Sequence, residues 1–218
     1  MVAAMKGQLR GDRFWRFTAA ATVGYLAGSI PSADIVSRAV ADRDIDLRAE
    51  GSGNPGGSNV GKLLGRKWGA VVMAADVAKG TAGATAGRAL AGGPGASLAG
   101  TAAVVGHCFP VWSGFRGGKG VATSAGQMIA TFPLYAAVDL GLAVLAATSE
   151  WWKPRALPIT ATASVLWVVA ATAWAKQGWP NLWGPKPGTH LPLAAAASSA
   201  VIIYKFAVSP DQSQTGPR

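Results

Sequence analysis

Gly51-Ser52-Gly53-Asn54-Pro55-Gly56-Gly57-Ser58-Asn59-Val60-Gly61-Lys62 is a glycine-rich run inside a polar segment of an otherwise apolar chain. It has no periodic apolar face and reads as a loop. Glycines let backbone N–H groups approach a ligand closely, and Ser, Asn and Lys add donors without an anionic repeller, so the run suits a phosphate. Arg48, Lys62, Arg66 and Lys67 crowd the same segment, and their charge favours an anion wherever water is partly excluded. A flexible linker has a similar composition, but two asparagines at fixed offsets and the flanking cations speak for a built site. Gly56 to Lys62 also fits the G-x-x-x-x-G-K of a nucleotide-binding loop. There the match ends, because Leu63 stands where a magnesium-binding Ser or Thr is needed and no short β-branched strand comes before it.

A second run of the same character, Ser113-Gly114-Phe115-Arg116-Gly117-Gly118-Lys119-Gly120-Val121-Ala122-Thr123, opens a predicted helix just after Gly106-His107-Cys108-Phe109-Pro110. Backbone N–H groups at a helix start, with Arg116 and Lys119, make another place that welcomes an anion. Two such runs suggest one shared pocket. Asp76 and Lys79 stand at i, i+3 in an apolar segment. Ionisable residues at membrane depth face either a partner or a water-filled cavity, so the pair is a salt bridge within the helix or part of the pocket. The one cysteine, Cys108, and two distant histidines, His107 and His190, offer neither a disulfide nor metal-ligand spacing, and no metal or cofactor is expected.

The elements that must carry these loops are set by composition. Half of the 218 residues are apolar, only 14% are charged, and the mean hydropathy is +0.27, which describes an integral membrane protein. Twenty Lys+Arg against ten Asp+Glu leave a formal charge of +10. In a membrane protein that excess suits anionic lipid or an anionic substrate rather than nucleic acid. A bilayer core of about 30 Å needs roughly 20 helical residues, and the chain divides accordingly. Phe17 to Arg38 is a first span kinked at Pro31, with Asp34 near the membrane boundary. Trp68 to Ala91 is a second and Ala96 to Trp112 a third, joined by Gly92 to Gly95. Val121 to Thr148 is broken at Pro133 into a short fourth and a fifth, and Leu157 to Lys176 and His190 to Phe206 are the sixth and seventh. Trp179 and Trp183 in the last connector suit an interfacial belt. Residues 1–208 read as one polytopic membrane domain and 209–218 as a polar, disordered tail. No cleavable signal peptide is apparent, so the first span reads as a permanent anchor. The basic residues of the two glycine loops outweigh Lys6, Arg10, Arg13 and Arg16 at the N-terminus and place both loops on the cytoplasmic side.

Taken together, Asp46-Leu47-Arg48, Gly51 through Asn59, Asp76-x-x-Lys79-Gly80, and Gly106-His107-x-Phe109-Pro110 running to Phe115-x-Gly117-Gly118-Lys119-Gly120-Val121-Ala122-Thr123 resemble the acyl-phosphate:glycerol-3-phosphate acyltransferases of bacterial membranes (PlsY type). The match covers about Gly28 to Gly126. The resemblance implies an all-α bundle of about seven transmembrane helices in the inner membrane. It implies transfer of a fatty acyl group from acyl phosphate to the 1-hydroxyl of glycerol 3-phosphate, giving lysophosphatidic acid and phosphate. On this chain it assigns Ser52, Lys119 and His107 to the catalytic centre, with His107 holding the site in shape. Arg48, Gly53, Asn54, Ser58, Asn59, Lys62, Gly117, Gly118 and Thr123 would bind substrate phosphate or fix the loops, and Asp76 and Lys79 would support them. Membrane lipid surrounds the site, and an enzyme that makes acyl phosphate is the partner implied upstream.

An acyl phosphate is already activated, so alignment of the hydroxyl and stabilisation of charge supply most of the catalysis, without a covalent acyl-enzyme. The chain also departs from the family. Lys62 stands where the family's first loop ends in arginine, a point charge without the bidentate fork. The stretch after the fifth span, Ser149-Glu150-Trp151-Trp152, lacks the family's arginine. After the last span the family's H-R-x-N-I-x-R-L-x-x-G-x-E is replaced by Tyr204-Lys205-Phe206-Ala207-Val208-Ser209-Pro210-Asp211. These departures leave a second reading, a catalytically weak homologue that binds the phosphate substrates or modulates lipid synthesis.

Overall fold

The computed structural model describes residues 2–148 and 156–209, and every regular element in them is a helix. The Ser149 to Trp152 stretch and the tail beyond Ser209 lie outside these residues. The elements are α1 (Val2–Ser29), α2 (Ser32–Val40), α3 (Gly57–Leu64), α4 (Arg66–Cys108), α5 (Val121–Thr131), α6 (Pro133–Thr148), α7 (Ala156–Gln177) and α8 (His190–Val208). α4 is two antiparallel limbs, because Ala91 and Gly92 leave helical geometry and Gly92 adopts a φ of 65°. Pro94 sits at the start of the second limb, where its missing N–H has no helical partner to lose. The predicted connection Gly92 to Gly95 is thus a tight turn.

Among the described residues, Arg66–Ser113, Leu157–Gln177 and His190–Val208 are long and apolar enough to cross a membrane, and Pro133–Val144 is a shorter apolar helix. α1 is not in that group, since its basic first half leaves too short an apolar stretch before Ser29. The fold is the expected all-α membrane bundle. Its centre is held by small residues. A Cβ added to Gly24 or Gly28 of α1 would strike the backbone of Ala99 or Ala103 in α4, and one on Gly80 or Gly126 would strike the backbone across the α4–α5 seam. Backbones this close gain dispersion contact that larger side chains would prevent. Buried Gln127 ties three helices, donating to Thr101 Oγ1 at 3.3 Å and accepting from Ser198 Oγ at 2.8 Å. At the far end of the bundle from His107, His190 pairs with Ser97 Oγ at 2.9 Å. Trp179 and Trp183 are exposed, as a belt position requires.

Two boundaries differ from expectation. The predicted kink at Pro31 is a complete break. Pro31 lacks an N–H and its ring drives Ile30 out of helical geometry, so α1 stops at Ser29 and α2 restarts at Ser32. The predicted loop Gly51 to Lys62 is a loop only in its first half, because Gly57–Leu64 is helical. Val60, Leu63 and Leu64 supply the apolar face of α3 that the glycines obscure in the sequence. They pack with Leu47, Ala33 and Val72 into a small core that anchors the loop to α2 and α4.

Candidate functional site

The polar features gather at the end of the bundle where α1 breaks. Ile30 loses a helical hydrogen-bond donor for its carbonyl at the Pro31 break, and Lys79 Nζ donates to that oxygen at 2.9 Å. Lys79 also pairs with Asp76 at 2.8 Å, with both side chains less than a tenth exposed, and His107 Nδ1 lies 3.5 Å from the same carboxylate. The i, i+3 pair is therefore a salt bridge within the helix and also part of a hollow. That hollow, small at about 20 Å³, is lined by Asp76, Lys79 and His107 together with Asp34, Arg48, Pro55, Gly117 and Gly118.

The restart of the chain at Ser32 puts Asp34 in the first turn of α2, where a carboxylate complements the helix dipole. Asp34 accepts two hydrogen bonds from Arg48, at 2.7 and 2.9 Å. These bonds push the Arg48 guanidinium's pKa up from its ordinary value against partial burial, so it stays a cation. Arg48 Nε donates to the carbonyl of Arg116 at 2.8 Å. Arg48 thus braces one glycine loop against the other. The Asp46 carboxylate accepts the Arg48 N–H at 2.9 Å and fixes the turn that carries it.

Asn59 is fully buried and holds the first loop closed. Its amide donates to the carbonyls of Leu47 and Glu50, and its oxygen accepts from the Ser52 N–H at 2.8 Å. Gly51, at φ 65°, brings its Cα against that oxygen, where a Cβ would collide. In the second loop a Cβ on Gly118 would strike His107 Nε2 and meet the Pro55 carbonyl at 3.2 Å. The two loops and His107 are therefore in direct contact.

Beside this contact opens a larger hollow of about 320 Å³. Arg48, Ser52, Gly53, Asn54 and Pro55 line one side, Phe115, Arg116 and Gly117 another, and Lys205, Val208 and Ser209 of the α8 end a third. Its size is that of a small-molecule site. The two hollows share Arg48, Pro55 and Gly117.

Several of the backbone donors expected to hold an anion are committed within the loops. The Ser52 N–H goes to Asn59 and the Gly53 N–H to Glu50 O, while those of Phe115, Arg116, Gly117 and Gly118 go to the carbonyls of Pro110, Ser113, Cys108 and His107. The glycines serve the turns themselves and the close packing of the loops. Side chains remain, chiefly the Ser52 hydroxyl, which makes no hydrogen bond among the described residues, and the Asn54 amide.

Other candidates stand apart from both hollows. Ser58 and Lys62 line a separate surface hollow with Arg66 and Met73, because the turn into α3 carries them around to its outer face. Thr123 is wholly buried in the α4–α5 seam, its carbonyl against Gly80. Lys119 lies over the Phe206 ring, 4.5 Å from its centre, on the α8 side of the second loop. Sequence reasoning assigned no role to Asp34 or to Lys205. The signals were an acid directly after a helix-breaking proline and a lysine inside an apolar helix.

A family model described as "Glycerol-3-phosphate acyltransferase" matches residues 18–211. A glycerol-3-phosphate acyltransferase of Thermoanaerobacter sp. (strain X514) is 44% identical over 124 residues, 57% of this chain and 62% of its own length. One from Chlorobaculum parvum is 41% identical over 144 residues, 61% of each. The chain thus spans about three fifths of the length of these curated relatives. The crystal structure of PlsY (YgiH), an integral membrane glycerol 3-phosphate acyltransferase, in its glycerol 3-phosphate form superposes with a TM-score of 0.71 at 29% identity, covering 92% of each chain. Its lysophosphatidic acid form gives 0.69 at 26%.

Proposed function

Because this chain belongs to the glycerol-3-phosphate acyltransferase family, we propose that it transfers a fatty acyl group from acyl phosphate to the 1-hydroxyl of glycerol 3-phosphate, releasing lysophosphatidic acid and phosphate. The observation that carries this reading is the joining of the two glycine loops around adjoining hollows at one end of an apolar bundle. Phosphate groups and a polar acceptor fit the polar walls, and Phe115 and Val208 lead from the larger hollow toward lipid-facing surface for the acyl chain.

On this reading Ser52 and Asn54 orient a phosphate by hydrogen bonds, and Arg48 fixes both loops through Asp34 and Arg116. His107, 3.5 Å from the Asp76 carboxylate and packed against Gly118, keeps the wall between the hollows in place. Lys119 contributes positive charge from the rim. The acyl phosphate supplies its own leaving group, so the hydroxyl of glycerol 3-phosphate attacks the acyl carbon directly, the C–O bond to phosphate breaks and the hydroxyl proton passes to the departing phosphate, with no acylated side chain. Positioning and electrostatic stabilisation account for the rate. The glycine loops face the cytoplasm of an inner membrane, where an enzyme producing acyl phosphate delivers the donor. The reading as a catalytically weak homologue rests on the absent C-terminal motif, and the α8 end nevertheless closes the larger hollow with Lys205.

The test is formation of lysophosphatidic acid and phosphate by the purified protein in lipid, given synthetic acyl phosphate and glycerol 3-phosphate, beside Ser52→Ala. Turnover reduced about 100-fold in the variant, the order expected for loss of one organising donor, supports the proposal. Absence of turnover in the unaltered protein, or turnover untouched by the variant, overturns it. Cysteine labelling of an engineered site in each glycine loop on intact cells tests the sidedness.

A further inference from the structure

Cations near the site fall into two kinds. Lys79 is paired with Asp76, and Arg48 is held by both oxygens of Asp34. Lys205 is 7% exposed, lines the larger hollow, and has no ion pair or hydrogen bond among the described residues. Its one close partner is the Phe109 ring, 5.1 Å from Nζ to the centroid. Enclosing a lysine side chain with no counter-ion beside its ammonium is costly, and a ring face offsets only part of that cost. The hollow that Lys205 lines also presents the uncommitted Ser52 hydroxyl and the Asn54 amide, while the N–H groups of Ser52 and Gly53 are engaged within the loop. The charge that would neutralise Lys205 is missing from the protein's own described residues, and the open side of the hollow is where one can enter.

We propose that Lys205 is the anchor for a substrate phosphate group, taken into the hollow between Ser52 and Asn54 on one loop and the end of α8. This rests on the acyltransferase reading for its choice of substrates and adds a residue to it. The lysine stands on the element where the family's C-terminal motif is absent, so one cation inside the last helix does work that the motif would otherwise share. Both substrates end in phosphate, and the experiment separates them.

Lys205→Met and Lys205→Arg are compared with the unaltered full chain in lipid, varying acyl phosphate and glycerol 3-phosphate separately, with thermal unfolding recorded for each protein. Expected for Lys205→Met is a KM raised about 10-fold or more for one of the two substrates, the loss of a charged hydrogen bond. Its unfolding midpoint stays the same or rises, and Lys205→Arg recovers part of the KM. The substrate whose KM moves is the one that Lys205 holds. Unchanged KM for both substrates in a folded Lys205→Met protein overturns the proposal and leaves the acyltransferase reading standing. Should the unaltered protein show no turnover, inorganic phosphate is the probe. A rise in unfolding midpoint with phosphate that Lys205→Met abolishes upholds the anchor without that reading, and an equal rise in both proteins overturns it.

Discussion

Replacing Asp76 by alanine strands a cation in the bundle. The Asp76 and Lys79 side chains are 5% and 7% exposed and meet at 2.8 Å, so neither is hydrated in compensation once the other is gone. With the carboxylate removed, Lys79 keeps the Ile30 carbonyl, and His107 loses the carboxylate 3.5 Å from its Nδ1. At an effective dielectric of 20 the direct attraction across 2.8 Å is about 6 kcal/mol, and breaking one side of a buried pair costs about 3–5 kcal/mol net. For a chain of this size each kcal/mol moves the midpoint by about 2–4 °C. Asp76→Ala should therefore unfold at a temperature lower by on the order of 10 °C, followed by the intrinsic fluorescence of its nine tryptophans. The double variant Asp76→Leu, Lys79→Met removes both charges, and its midpoint should return to within a few degrees of the unaltered protein. Turnover should not return with it, because the wall that holds His107 and Ile30 is still dismantled. A single variant that melts within about 2 °C of the parent, or a double variant that loses the sum of two single losses, would refute the reasoning.

Gly118→Ala should leave the bundle intact and damage the site. Its Cβ must displace the His107 ring or the Pro55 carbonyl, and an ångström-scale shift between the loops is expected to lower kcat/KM about 100-fold with little change in midpoint. Asn59→Ala removes three hydrogen bonds that close the first loop. At about 1 kcal/mol each it should cost about 3 kcal/mol and expose the loop to protease cleavage near Gly51. Gly80→Ala, which drives a Cβ into the Thr123 carbonyl, should instead lower stability by about 1–3 kcal/mol, the cost of overpacking, read as a lower midpoint.

The membrane character, the apolar helices after Trp68 and the turn at Gly92 were legible because hydropathy and glycine placement are local signals. The break at Pro31 was legible as a kink but not as complete, because the Ile30 carbonyl finds its donors in the Ser32 N–H and in Lys79 of another helix. α3 was hidden because glycines at 57 and 61 dilute the apolar positions Val60, Leu63 and Leu64, which become a face only against Leu47 and Val72. Ser52, Asn54 and Gly118 could be nominated from spacing. Their division of labour could not, because whether a loop N–H binds a ligand or closes its own turn depends on which carbonyl lies within 3.5 Å. Ser58 and Lys62 followed Ser52 in sequence and parted from it in space once Gly57 began a helix.

The position of the candidate site follows from where helices end. A spanning helix satisfies its own backbone and offers a polar ligand nothing along its length. Here α1 stops before Pro31, α4 stops at Cys108, α5 starts at Val121 and α8 stops at Val208, and both hollows lie among these ends. Many of the released backbone groups are bonded within their own loops, and the Arg48 side chain ties one loop to the other through the Arg116 carbonyl. Specificity therefore passes to the few side chains that the walls leave uncommitted. On that logic a substitution at Ser52 or Lys205 should alter substrate handling without altering the fold, whereas one at Asn59 or Asp34 should do the reverse first. Comparing midpoint against KM across these four positions tests the division directly.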